Sequence, residues 1–367
     1  MSGAGGAPAA VLAVDGGNSK TDVLLVADDG RILGQAHGGT ISHQAVPLEV
    51  GLARLRELVA RAAGDGRDAA ARRWSAGTGP VARIGSFALA GADFPRDIRL
   101  LERVLGGTGL VDAVHVHNDC FAALRAGAAE GWGVVLICGE GVNAAGVTPD
   151  RRVARYAAIG ELSGDWGGGH SLGQAALASA IRARDGRGPR TALETALARH
   201  FGVARPETVM LAMYEGRIPE RRLSELAPTV LEIADAGDAE ARAIVDRLVR
   251  ELAAMVGGLV RRLRLVRRPV PVVLAGGVFS TTSARFHADL AAAIGRVAPR
   301  ARPVRLDVPP VVGAALLGLD TRSTGGPVSA EVIVRLRRQA LEAPTPSRRP
   351  HTQCTRRPTS REPPCRQ

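Results

Sequence analysis

Asp15-Gly16-Gly17-Asn18-Ser19-Lys20-Thr21 closes a short apolar run at 11–14 and leads into a second at 23–26. That places two glycines in a hairpin turn, where bare main-chain amides can close on an anion such as a phosphate. Asp15, at the strand end, suits an outer-sphere contact to Mg²⁺, and Lys20 could add a positive charge beside the phosphate. The spacing is not that of a Walker loop, and no helix follows; it is no dinucleotide fingerprint either. A hairpin that needs glycine for positive φ accounts for the same residues without a ligand.

Four further stretches carry chemistry. Asn118-Asp119 joins a strand to a helix, where a carboxylate could take a proton from a substrate hydroxyl. The same two residue types are preferred helix N-caps, so capping competes with catalysis. Gly139-Glu140-Gly141 repeats the first hairpin, with amides that could face the same phosphates. Gly160-Glu161-Leu162-Ser163-Gly164-Asp165-Trp166-Gly167-Gly168-Gly169 runs into a helix whose N-terminus could hold polar groups of a ligand. Ala275-Gly276-Gly277-Val278 lies between strand and helix, where missing side chains could admit a flat base.

These motifs need a scaffold, and the apolar pattern supplies one. Runs at 11–14, 23–26 and 31–36, separated by turn residues, predict an antiparallel meander. Helical spacing over 48–63, a buried strand at 87–90, a helix at 98–105, a strand at 111–116 and a helix at 120–128 follow. The pattern then restarts with strands at 133–138, 143–147 and 153–156 around a glycine turn and an aspartate turn. Such a repeat points to a duplicated domain. Helices dominate 171–265, before a strand at 272–275, a helix at 283–296, a strand near Val304 and a helix at 311–318. From about 340 the chain is rich in Pro, Arg and Thr without periodicity, which predicts a disordered tail over 340–367.

Composition narrows the partners. The 367 residues carry 48 basic and 36 acidic side chains, a net charge of +12. Lys20 is the only lysine, so the excess reads as an arginine bias. Six arginines against Glu362 fall beyond Pro344, and the rest spread without a basic stripe. Aromatics make up only 3%, too few for stacking platforms, and these features together argue against nucleic acid. No apolar run reaches the roughly 20 residues of a membrane helix, and the first residues do not read as a signal peptide. The expectation is a cytoplasmic protein without a membrane partner. Cys120, Cys138, Cys354 and Cys365 have no metal-ligand spacing.

Taken together, the glycine turns of both halves and the central aspartate resemble the N-acetylglucosamine kinase branch of the BadF/BadG/BcrA/BcrD ATPase family, within the actin–sugar kinase–heat-shock superfamily. The likeness spans roughly residues 10–320. It implies an α/β architecture of duplicated ribonuclease-H-like (actin-like ATPase) domains, 8–130 and 131–322, with a helical insert in the second and ATP and sugar in a central cleft. By this resemblance Asp15 to Thr21 forms the first phosphate motif, Gly139 to Asn143 the second, and Gly276-Gly277 the adenosine motif. The cofactor set is then Asp15, Gly16, Gly17, Ser19, Lys20, Gly139, Gly141, Gly276 and Gly277, with Asp15 also serving Mg²⁺ and Asp119 as the catalytic base. Ser42, His43, Asn143, Gly160 and Asp165 match substrate-contacting positions. Three residues depart from the family pattern: Ser42 for the usual Asn, Glu140 for a hydroxyl residue, and Trp166 for an acidic one. The implied activity is transfer of phosphate from ATP to a hexosamine, foremost N-acetylglucosamine at O6. The alternatives are an ATPase of the family acting on another sugar and a non-catalytic sugar or nucleotide sensor. The resemblance also allows a homodimer. Activators of the family that carry iron–sulfur clusters are set aside, because neither Cys120 nor Cys138 sits in a cluster motif.

Overall fold

The computed structural model describes residues 9–64, 79–322 and 328–342. The first meander comprises β1 (Ala9–Gly16), β2 (Lys20–Val26) and β3 (Ile32–Gly39). Helix α1 (Leu48–Gly64), β4 (Ala82–Leu89), α2 (Pro95–Gly106) and β5 (Val111–Asn118) complete a sheet of order β3-β2-β1-β4-β5. Its first three strands pair antiparallel, and β1, β4 and β5 pair parallel. After α3 (Asp119–Gly127) come β6 (Gly133–Cys138), β7 (Val142–Val147) and β8 (Val153–Arg155). These join β9 (Val270–Ala275) and β10 (Ala301–Arg305) in the order β8-β7-β6-β9-β10. Strand for strand this is the first sheet again, antiparallel and parallel pairs included. The duplication expected from the turn pattern is thus present in the topology.

The second half is larger because helices α4 (Gly168–Arg184), α5 (Leu193–His200), α6 (Pro206–Tyr214), α7 (Ala227–Asp235) and α8 (Ala239–Arg262) separate β8 from β9. The single helix expected over 222–235 is a 3₁₀ turn at Glu220–Leu226 followed by α7, with Pro228 in the first turn of α7. Proline has no amide to donate, and its fixed φ suits a helix start. Helix α9 (Ala284–Val297) follows β9.

Side chains alternate across the first sheet. Leu12, Val14, Val23 and Leu25 face α1 and α2 in one core. Val11, Ala13, Leu24 and Val26 face α10 (Val311–Arg322) in another. Helix α10 therefore belongs to the first sheet in space, although the sequence reading placed 311–322 with the second half. Conversely, Cys120, Ala123 and Leu124 of α3 pack on Val135, Ala145 and Val273 of the second sheet. The two helices cross, each covering the other half's sheet. Gly313 makes the crossing possible, since a Cβ there would lie 1.8 Å from the carbonyl oxygen of Ala122. Buried Arg125 of α3 forks onto Asp320 of α10 at 2.7 and 3.2 Å.

One element was not foreseen. Helix α11 (Ala330–Glu342) lies on the β2–β3 edge, with Leu336 buried and Gln339 accepting from the Ile32 amide at 2.8 Å. The tail expected from 340 therefore begins no earlier than 343, and the remainder of that expectation lies outside the described residues. No helix among the described residues is long and apolar enough to cross a membrane.

Candidate active site between the two sheets

A cavity of about 950 Å³ opens between the carboxyl ends of the two sheets. Such switch points, where strand ends diverge, are where open α/β sheets bind ligands. Asp15, Gly17, Ser19 and Lys20 line it from the first hairpin, and Gly139, Gly141 and Asn143 from the second. Asp119 stands between them, and Gly276 and Gly277 form the far wall. A Cβ on Gly139, Gly141 or Gly277 would meet nothing within 4 Å, so these positions leave space open towards the cavity. Gly276 differs: its φ is +107°, and a Cβ would strike the Cys138 carbonyl oxygen at 2.4 Å. Glycine there is demanded by the close approach of β9 to the second hairpin.

Capping and catalysis divide between neighbours. Asn118 caps α3, its Oδ1 accepting from the Cys120 amide at 3.3 Å. Asp119 is thereby freed, and its Oδ1 is buried without a hydrogen-bond partner among the described residues. Desolvation raises the Asp119 pKa to about 6, and Asp93 adds to the shift; the Cys120 amide, Arg155 and Asn143 oppose it. A carboxylate with one oxygen left unpartnered, titrating near neutrality, is what a general base requires. Asp15 is pushed further, to about 8, by burial first and then by Asp22 and Asp119, with Lys20 opposing. Lys20 itself pairs with Asp22 at 2.9 Å, and His37 bonds the other Asp22 oxygen at 2.6 Å.

Several expected residues stand elsewhere. Gly16 is buried beneath its hairpin, where a Cβ would meet Leu89 at 2.7 Å, so it serves packing. Ser42 is buried, and its hydroxyl accepts from the Gln44 amide at 3.3 Å. His43 packs beside Gly91 outside the cavity lining. Gly160 and Asp165 also lie outside it, closing their own turn through Asp165 N–H to Gly160 O at 3.1 Å. Trp166 carries the Arg247 guanidinium 4.1 Å over its ring.

The N-terminus of α4, expected to hold a ligand, is already engaged. Its Gly169 and His170 amides donate to the carbonyls of Gly139 and Glu140 at 2.7 and 2.9 Å. The glycine run serves that contact: a Cβ on Gly168 would lie 2.5 Å from the Glu140 oxygen. The helix thus buttresses the second hairpin from behind.

Sequence reasoning missed Gln44 and Asp93, the wall formed by Glu232, Asp235 and Thr281 to Ser283, and Arg155, which bonds Asp93 from outside the lining. Asp93 had a signal, since it follows Ala90-Gly91 at the end of a buried strand beside the switch point. Arg155 had none among so many arginines.

The sequence pattern of one family matches residues 12–318, which takes in both hairpins, Asp119 and Gly276-Gly277. The chain belongs to the BadF/BadG/BcrA/BcrD ATPase family. Within reach of that family, the N-acetylmuramic acid/N-acetylglucosamine kinase of Clostridium acetobutylicum is 26% identical over 270 residues, 74% of this chain and 85% of the relative. The N-acetyl-D-glucosamine kinase of Dictyostelium discoideum is 24% identical over 273 residues, 72% of this chain and 84% of the relative. A solved structure from Chromobacterium violaceum superposes with a TM-score of 0.61 at 24% identity, covering 85% of this chain and 99% of that one. The superposition supports the paired-sheet fold. Helix α11 lies beyond the residues that the family pattern matches.

Proposed function

We propose that this protein is an ATP-dependent sugar kinase that phosphorylates a hexosamine hydroxyl, converting N-acetylglucosamine to N-acetylglucosamine 6-phosphate. The observation that carries this reading is Asp119, whose buried Oδ1 has no hydrogen-bond partner among the described residues, lining a cavity walled by two glycine hairpins. Its carboxylate accepts the proton of the sugar hydroxyl as that oxygen attacks the γ-phosphorus; the bond to ADP breaks in line. Amides of Ser19 and Gly141 face the phosphate charge, while the Gly17 amide closes the hairpin onto the Lys20 carbonyl at 2.9 Å, and Gly276-Gly277 flanks the adenine. At the sugar end Asn143 stays, and Gln44 and Asn118, which line the cavity with it around Asp119, replace Ser42, His43, Gly160 and Asp165. Among the described residues the lobes are 9–64 and 79–130 with 306–322 and 328–342, and 131–305. They close on the sugar and exclude water. ATP supply places the activity in the cytoplasm, and a homodimer remains part of this reading.

Mg²⁺ fits Asp15. No group of three or more ligating side chains occurs among the described residues, but Mg²⁺ characteristically takes one or two carboxylates plus substrate phosphates. The crowding of Asp15 by Asp22 and Asp119 is a repulsion that a divalent cation would relieve. When bound, the ion neutralises charge on the β- and γ-phosphates. Asp15 holds its proton more tightly folded than unfolded, so ligand-free stability falls as pH rises from the ordinary carboxylate range to about 8. Asp15→Asn removes that penalty. Scanning fluorimetry at pH 9 should show the ligand-free variant melting about 2–4 °C higher. The variant should also lose the gain that Mg²⁺ gives the wild type.

Gly141→Ala tests the second hairpin. Its Cβ enters open space, so melting should not change, while the ATP KM rises about tenfold. Initial rates at varied ATP read this, with the sugar KM as control.

The decisive experiment is ADP release, coupled to NADH oxidation, against a panel of sugars. Turnover with N-acetylglucosamine is expected; turnover only with another sugar reassigns the substrate. The sensor reading is favoured by Glu140, a carboxylate on the phosphate side of the cavity. It predicts binding of sugar or nucleotide with no ADP release.

A further inference from the structure

Asp93 accepts hydrogen bonds from three different side chains at the cleft. It lies in the loop between β4 and α2, and only 8% of its side chain is exposed. Its Oδ1 accepts from Asn118 Nδ2 at 3.0 Å and Arg155 Nη2 at 3.2 Å. Its Oδ2 accepts from Gln44 Nε2 at 3.2 Å. Arg155, on β8, also donates to the Ala92 carbonyl at 3.3 Å. Asn118 in turn accepts from Asn143 Nδ2 of β7 at 3.2 Å. Three of these links, two from Arg155 and one from Asn143, cross from the second lobe to the first.

The arrangement has a mechanical consequence. Separating the lobes at the cleft floor must break the two Arg155 bonds, to Asp93 and the Ala92 carbonyl, and the Asn143–Asn118 bond together. The first and last of these end on groups that hold Asn118, the residue whose backbone leads directly into Asp119. A buried ion pair that loses one partner leaves an uncompensated charge, so intermediate openings are disfavoured.

We propose that Asp93 and Arg155 are positioning residues, whose ion pair across the cleft sets the spacing of the lobes and holds Asp119 in line with the sugar hydroxyl. The kinetic consequence rests on the kinase reading, whereas the spacing of the lobes does not. Neither residue touches the reacting atoms. They act through Asn118, which Asp93 fixes from one side and Asn143 from the other.

The test uses the full chain with Cys354→Ser and Cys365→Ser, leaving the buried Cys120 and Cys138. Spin labels are attached through Glu49→Cys on α1 and Arg250→Cys on α8, both exposed positions, and the distance between them is read without ligand by pulsed electron resonance. Arg155→Met and Asp93→Asn should each lengthen or broaden the distance distribution. In the unlabelled protein each should lower kcat about 10- to 100-fold while the ATP KM changes by less than about twofold. Arg155→Lys, which keeps the charge, should restore most of both. An unchanged distance distribution in Arg155→Met and Asp93→Asn overturns the proposal, as does a kcat loss that Arg155→Lys fails to relieve. If the wild type turns over no sugar, the kinase reading fails separately, and the distances still decide whether the pair spaces the lobes.

Discussion

Asp119→Asn should lower kcat by about 10²–10⁴ while leaving melting temperature and ATP binding near those of the wild type. The amide cannot accept the proton of a sugar hydroxyl, yet it fills the same space and retains a carbonyl oxygen where the carboxylate stood. Since Asn118, not Asp119, supplies the N-terminal cap of α3, the substitution leaves that cap intact. Turnover near the wild-type rate would remove Asp119 from the mechanism. The same residue fixes the acidic limb of the pH profile. With its pKa raised to about 6, the base is protonated and inactive below that value and ionised above it. The rate should therefore fall tenfold per pH unit well below 6, and the limb should vanish from whatever activity Asp119→Asn retains.

Gly313→Val should be the most damaging single change to the fold. A side chain there meets the Ala122 backbone, and no rotamer change can move a main-chain oxygen. The collision must separate α10 from α3 and strain both cores that depend on them. Overpacking typically costs about 1–3 kcal/mol, and a backbone clash lies at or beyond the upper end. Against a total stability of roughly 5–15 kcal/mol, that lowers melting by about 6–12 °C. Calorimetry of Gly313→Val beside Gly106→Ala reads it, because a Cβ at Gly106 meets nothing within 4 Å. Equal melting of the two variants would show that the crossing has room to spare.

Local patterns carried much of this architecture. Each meander announced itself through short apolar runs separated by turn residues, because hairpin pairing is local. The second hairpin was legible for the same reason, as was the strand-to-helix junction at Asn118-Asp119. Legibility failed where the cause lay far along the chain. Nothing near Val311 says that its helix will cover β1 and not β10. Nor does anything near Gly168 say that the helix start is needed behind Gly139. Ser42 was read as a ligand contact, but its hydroxyl closes a turn two residues away. Arg155 acquires meaning only when β8 is set against the loop holding Asp93.

The crossing of α3 and α10 bears on what counts as a unit in this protein. Cut between α3 and β6, each half would keep a helix that covers the other's sheet and lack that layer over its own. In this respect the monomer is organised like a swapped dimer whose two copies have been fused into one polypeptide. Its smallest self-sufficient piece is thus the whole span from β1 to α10, and the repeat visible in the sequence is a unit of descent more than a unit of folding.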